Sequence, residues 1–107
     1  MCHCLACQKR TGSAFGIQAR WPADRVTFEG VATEFKRTGD EGTTATFRFC
    51  PTCGAIVYWT ADALPGLVYL PIGAFADPTF PPPQIAVYCE RRHPWAVMPN
   101  LHAEEFD

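Results

Sequence analysis

Five of the six cysteines in this 107-residue sequence fall into two tight clusters. Thiolates grouped in this way bind soft metal ions in preference to hard ones. Cys2-His3-Cys4-Leu5-Ala6-Cys7 places three thiols on one short segment. The C-x-C pair suits an extended or turn backbone, and C-x-x-C brings the third sulfur back as a helix begins. The product is a three-thiolate face with an open fourth corner, the arrangement a reactive zinc needs. Cys50-Pro51-Thr52-Cys53-Gly54 reads as a zinc knuckle, a tight turn that aims backbone amides at sulfur. Gly54 supplies a positive φ if that turn requires one. The knuckle provides half of a tetrahedral site. Spacing alone ranks a four-cysteine ribbon of Cys4, Cys7, Cys50 and Cys53 above the open site, and leaves both standing.

Charge decides how an open three-thiolate centre would behave. With Zn²⁺ the set carries one net negative charge, so the metal is a weaker Lewis acid than one held by neutral histidines. It suits a soft sulfur substrate better than hydrolysis. Lys9 and Arg10 follow the cluster and could offset its charge; otherwise they form a solvated face. His3 is a candidate ligand whose neighbours leave it pointing away from the metal. Cys89, remote from both clusters, reads as a small buried residue on a late strand. A disulfide framework is the competing use of six cysteines, but nothing at the start of the chain directs export, and the cysteines are bunched rather than spread. A thioredoxin-like redox role for C-x-x-C wants a βαβ context that is missing here.

The elements that must position these thiols are short strands. Ten prolines and eight glycines punctuate runs of β-branched and aromatic residues, which predicts a mostly β fold. Strands are expected at residues 14–21, 26–29, 32–38, 43–49, 55–59, 67–71 and 85–88, with a hairpin loop at Gly39-Asp40-Glu41-Gly42. One short helix is expected over residues 5–11, stopped by Gly12. Pro81-Pro82-Pro83 reads as a stiff connector. Phe15, Trp21, Phe28, Phe35, Phe47, Phe49, Tyr58, Trp59 and Trp95 are expected mainly in the core. A core this small leaves a structural metal with a stabilising role.

The length predicts one domain spanning residues 1–107. A net charge of −2, with basic residues scattered in pairs, argues against nucleic acid as a partner. No apolar run approaches the ~20 residues that cross a bilayer, so no membrane role and a cytoplasmic location are expected.

Cys2-His3-Cys4-x-x-Cys7-Gln8-Lys9-x-Thr11-Gly12-Ser13-Ala14-Phe15, then Phe49-Cys50-x-x-Cys53-Gly54, resembles the glutathione-dependent formaldehyde-activating enzyme family. That family shares its domain with centromere protein V. The tail from Ile85-x-Val87 through Pro94-Trp95 to Pro99 is similar to the family's closing segment. The resemblance implies a β-tent fold of short antiparallel strands with one short helix. It also implies two zinc sites and carbon–sulfur lyase chemistry on adducts of a small thiol, such as glutathione, with an aldehyde such as formaldehyde. It assigns Cys2, Cys4 and Cys7 to a catalytic zinc and Cys50 and Cys53 to a separate structural zinc, against the ribbon favoured by spacing. The segment 11–15 would wall the pocket. The family takes its remaining structural ligands from a C-x-C strand preceding the catalytic cluster. Met1 directly precedes Cys2 here, so a domain short at its N-terminus with one tightly held zinc is the expectation. A homodimer is compatible with the sequence. The alternative to an enzyme is a zinc-stabilised binding module without chemistry.

Overall fold

A computed structural model describes residues 1–39 and 41–107, and these divide into two compact units. The first contains residues 1–17 and 77–107, the second residues 18–76. Among the described residues no helix is long and apolar enough to cross a membrane.

The second unit is a five-stranded antiparallel sheet. Its strands are β1 (Gln18–Pro22), β2 (Thr33–Thr38), β3 (Thr44–Phe49), β4 (Ile56–Ala61) and β5 (Leu67–Pro71), in the order β1-β5-β4-β3-β2. Register brings Phe35 opposite Phe47, Phe47 opposite Trp59, and Trp59 opposite Tyr69. One face of the sheet thus carries a row of rings, because residues paired across antiparallel strands share a face. Phe47 and Trp59 are tilted at 5.4 Å between centroids, and Trp59 and Tyr69 stack at 5.5 Å. Phe47, Trp59 and Val68 are the buried hydrophobic residues of this unit. Phe47 and Trp59, at the middle of the row, are its buried part, and Val68, next to Tyr69 along β5, is buried on the opposite face.

The expected strand at residues 26–29 does not form. The chain there leaves a 3-10 turn (Ala23–Arg25), and the Phe28 ring stacks on Tyr58 at 3.6 Å. Its apolar character serves that ring contact rather than a ladder. The strand expected from residue 14 starts only at Gln18. Phe28, Phe35 and Trp95 are exposed rather than core. The expected hairpin loop at Gly39–Gly42 includes Asp40, which lies outside the described residues. Its flanks close by bonds from Gly39 N to Thr43 O and from Gly42 N to Gly39 O.

The first unit is held mainly by short pairings. Helix α1 (Leu5–Thr11) matches the expected span and ends at Gly12 in the left-handed conformation, φ 65°. Strand β6 (Ile85–Ala86) pairs in parallel with β7 (Glu104–Glu105). No β signal marks Glu104-Glu105; a two-residue strand of charged side chains exists only because β6 offers it a partner. Cys89 opens a 3-10 turn (Cys89–Arg91) instead of lying on a strand, and it is half-buried with its thiol donating to Ala86 O at 3.5 Å.

Candidate metal centre

Cys2 is held from two sides. Its N–H donates to Gly16 O and its carbonyl accepts from Gly16 N, at 2.8 and 2.9 Å. On the other side His3 N donates to Val87 O and Val87 N donates to Met1 O, so Cys2 forms bridges with both Gly16 and Val87. Cys4 is extended, at φ −61° and ψ 150°, and caps α1: its Sγ accepts from Cys7 N at 3.3 Å. Cys7 sits in the first turn and is buried. Thr11 Oγ1 donates to Cys7 O at 2.8 Å, and accepts from Ser13 N at 3.2 Å. One hydroxyl therefore ties the helix end to the loop that follows. This gives the 11–15 segment a supporting role beside Cys7.

These constraints bring the sulfurs of Cys2, Cys4 and Cys7 within 4.8 Å of one another. Tetrahedral zinc with bonds of about 2.3 Å sets its sulfurs about 3.8 Å apart, a spacing that lies inside this limit. The donor set also fits, since soft thiolates favour zinc. The three cysteines form a cluster that could hold a metal. The set that spacing ranked second is the one the fold assembles.

The thiols already divide their protons unequally. Cys2 donates to the Cys7 sulfur, which pushes the Cys2 thiol up and holds Cys7 down at about 5. Burial opposes the shift at Cys7, whereas Cys4 and the Arg10 guanidinium reinforce it. Arg10 reaches this place because residue 16 is glycine: a Cβ there would meet Arg10 Nη2 at 2.9 Å and Cys7 Cβ at 3.5 Å. Of the two basic residues, Arg10 is the one set against the cluster.

Gly16→Ala is accordingly expected to move the guanidinium off Cys7 at little cost to folding, since the displaced group is the end of a flexible side chain. The Cys7 thiol of metal-free protein should then titrate at higher pH, leaving less thiolate at any given pH. Arg10→Met should do the same, and the double variant no more than either. Thiolate absorbance followed against pH checks this; a wild-type titration in all three variants would refute it.

His3 does not join the ligand group. It is fully buried, and both ring nitrogens lack a hydrogen-bond partner among the described residues. Its ring meets Phe15 edge-on at 5.8 Å. Burial, with the Arg92 charge adding to it, holds the imidazole below its ordinary value and therefore neutral. His3 also borders a cavity of about 140 Å³ lined by Arg92, Met98, Leu101 and Glu105 among others. None of the cluster cysteines lines that cavity.

The knuckle belongs to the second unit, in the connection from β3 to β4. Register shifts between Arg48 and Phe49 as β3 hands over to it. Gly54 adopts φ 77°, and its N–H donates to Cys50 O at 2.8 Å. Backbone N–H groups of Cys53 and Thr52, and the Cys53 thiol, point at the Cys50 sulfur and hold it below the ordinary thiol value. The turn therefore has the geometry expected of a knuckle. Among the described residues no third ligand atom completes a set around Cys50 and Cys53. None of the six cysteines is in a disulfide.

Sequence reasoning missed two residues of this region. Gln8 donates to the His3 carbonyl in the cluster loop, and its amide is bonded in turn to His93. Gln8 carried a signal, since it falls inside the quoted motif; His93 carried none.

An antiparallel sheet with one short helix and a three-thiol cluster defines a small β protein with a candidate cysteine metal site. The model of the glutathione-dependent formaldehyde-activating enzyme family matches residues 1–91, and the chain belongs to that family. No curated protein matches the chain.

Proposed function

We propose that the chain is a zinc-dependent carbon–sulfur lyase acting on adducts of a small thiol, glutathione or a close analogue, with an aldehyde such as formaldehyde. The reading is carried by one observation: three thiol sulfurs gathered within 4.8 Å in a chain of this family. Zinc held by Cys2, Cys4 and Cys7 would supply a Lewis-acidic position able to take a substrate sulfur as thiolate.

The chain's own residues perform the holding. The two bridges of Cys2 and the cap made by Cys4 fix the donor atoms before any ligand arrives, which lowers the ordering cost of binding. Arg10 offsets the negative charge that a substrate thiolate would increase. In the forward direction the thiol gives up its proton, its sulfur bonds to the aldehyde carbon, and the carbonyl oxygen takes up a proton. The reverse reaction breaks that C–S bond. Orientation of the two reactants is the main contribution asked of the protein. Cys50 and Cys53 would supply two of the four ligands of a separate structural metal, a role supported by the amides aimed at Cys50.

Thiol-dependent turnover should fade slowly under a chelator and return with Zn²⁺. Mg²⁺ should fail to restore it, because thiolates discriminate against hard cations. Exchange between free formaldehyde and its glutathione adduct, followed by NMR, reads the activity. Full activity in exhaustively demetallated protein would sink the mechanism. A cobalt-substituted protein whose spectrum ignores glutathione, and which shows no turnover, would instead identify a binding module.

A further inference from the structure

The Gln8 side chain makes three hydrogen bonds to three places. Its Nε2 donates to His3 O at 2.8 Å and to Arg91 O at 3.1 Å, while its Oε1 lies 2.8 Å from His93 Nε2. A primary amide has two N–H donors, and both face carbonyls here. Its oxygen is then the acceptor toward His93, so His93 Nε2 carries a hydrogen. The network leaves no other assignment of these atoms.

What the amide grips matters more than how many bonds it makes. The His3 carbonyl belongs to the peptide between His3 and Cys4, inside the C-x-C pair. Helix α1 has seven residues, too few to be stable alone, so its placement depends on outside contacts. Gln8 projects from that helix directly after Cys7. One side chain thereby ties the helix bearing Cys7 to the peptide joining the other two thiols, and both to the 91–93 segment. His93 is itself seated against the Trp95 ring at 5.0 Å.

We propose that Gln8 and His93 are positioning residues of the metal centre: the Gln8 amide sets the relative placement of the Cys2, Cys4 and Cys7 sulfurs, and His93 holds the amide in register. The inference rests on the reading that these cysteines hold zinc. Partners outside the ligand set commonly change metal affinity by about 10- to 100-fold.

The test uses the full chain loaded with cobalt, with Cys7→Ser identifying the thiolate-to-cobalt band of this cluster. Gln8→Ala and Gln8→Glu are expected to weaken zinc binding about 10- to 100-fold by competition with a chelator, and to shift that band. Glutamate keeps the acceptor for His93 but turns an oxygen toward two carbonyls, so it should not rescue. His93→Phe should lose part of the affinity, and His93→Gln, which restores an N–H near Nε2, should recover it. Wild-type affinity and an unchanged band in both Gln8 variants would overturn the inference, even with a lowered Tm of the metal-free protein. If the Gln8 variants fail to fold, the His93 pair decides: equal affinity with Phe and Gln overturns it. Wild-type protein that shows no Cys7-dependent cobalt band would overturn the metal reading, and this inference with it.

Discussion

Replacing Cys7 by serine is expected to abolish zinc binding at the cluster and to cut thiol-dependent turnover by more than about 100-fold, while the five-stranded sheet stays folded. The loss follows from the donor set. A serine hydroxyl stays protonated at neutral pH and is a hard ligand, so two thiolates would remain where three are needed. Structural zinc in small peptides contributes about 10–16 kcal/mol at neutral pH when its full ligand set is present. Cys7 is also the sulfur on which the donors converge, taking hydrogen bonds from Cys2 and Cys4 and the charge of Arg10. Preservation of the sheet follows from its separate core, since Phe47, Trp59 and Val68 belong to the unit of residues 18–76. Zinc content, turnover and the near-ultraviolet signal of the aromatic row check the three parts of this prediction. If Cys7→Ser disrupts the sheet as fully as Cys53→Ser, the assignment of separate roles to the two clusters is wrong.

Trp59→Ala is expected to remove about 3–5 kcal/mol of folding stability, the usual cost of truncating a large buried aromatic side chain. Trp59 is 6% exposed and lies between its register partners, with Phe47 on β3 and Tyr69 on β5. Truncation leaves a cavity at the middle of the row and breaks two ring contacts at once. A small domain has about 5–15 kcal/mol in total, so a large part of the population should unfold in mild urea. Phe35→Ala makes the control. Phe35 sits on the same row at the edge strand, but at 59% exposure, and should cost less than about 1 kcal/mol. Equal shifts in urea midpoint for the two variants would show that burial at the middle of the row does not carry the stability.

Several elements were legible because their causes are local. The helix over Leu5–Thr11 and its stop at Gly12 follow from a short run closed by a residue tolerant of positive φ. β5 matches its expected bounds at Leu67–Pro71, and β2, β3 and β4 follow closely. The knuckle turn was readable for the same reason, with Gly54 at φ 77° and amides aimed at Cys50. Where the expectation rested on hydrophobic character alone it failed. Phe28 looked like part of a strand and proved to be a ring stacked on Tyr58, because an apolar side chain does not specify its partner.

Adjacent residues were enough to show that cysteines would cluster, that thiolate chemistry was available, and that short strands would carry it. Spacing within one turn controls local ligand geometry, so C-x-x-C and C-x-C can be read from adjacent letters. Which thiols act together was a different question. Spacing preferred Cys4, Cys7, Cys50 and Cys53, whereas the fold gathers Cys2, Cys4 and Cys7. That outcome depends on bridges from Cys2 to Gly16 and Val87 and on an amide grip from Gln8 that extends to Arg91 and His93. Partners so far along the chain meet only when the unit is folded, and a linear pattern carries no term for their separation in space. The same holds for Arg10, whose place over Cys7 exists only because Gly16 comes close and has no Cβ.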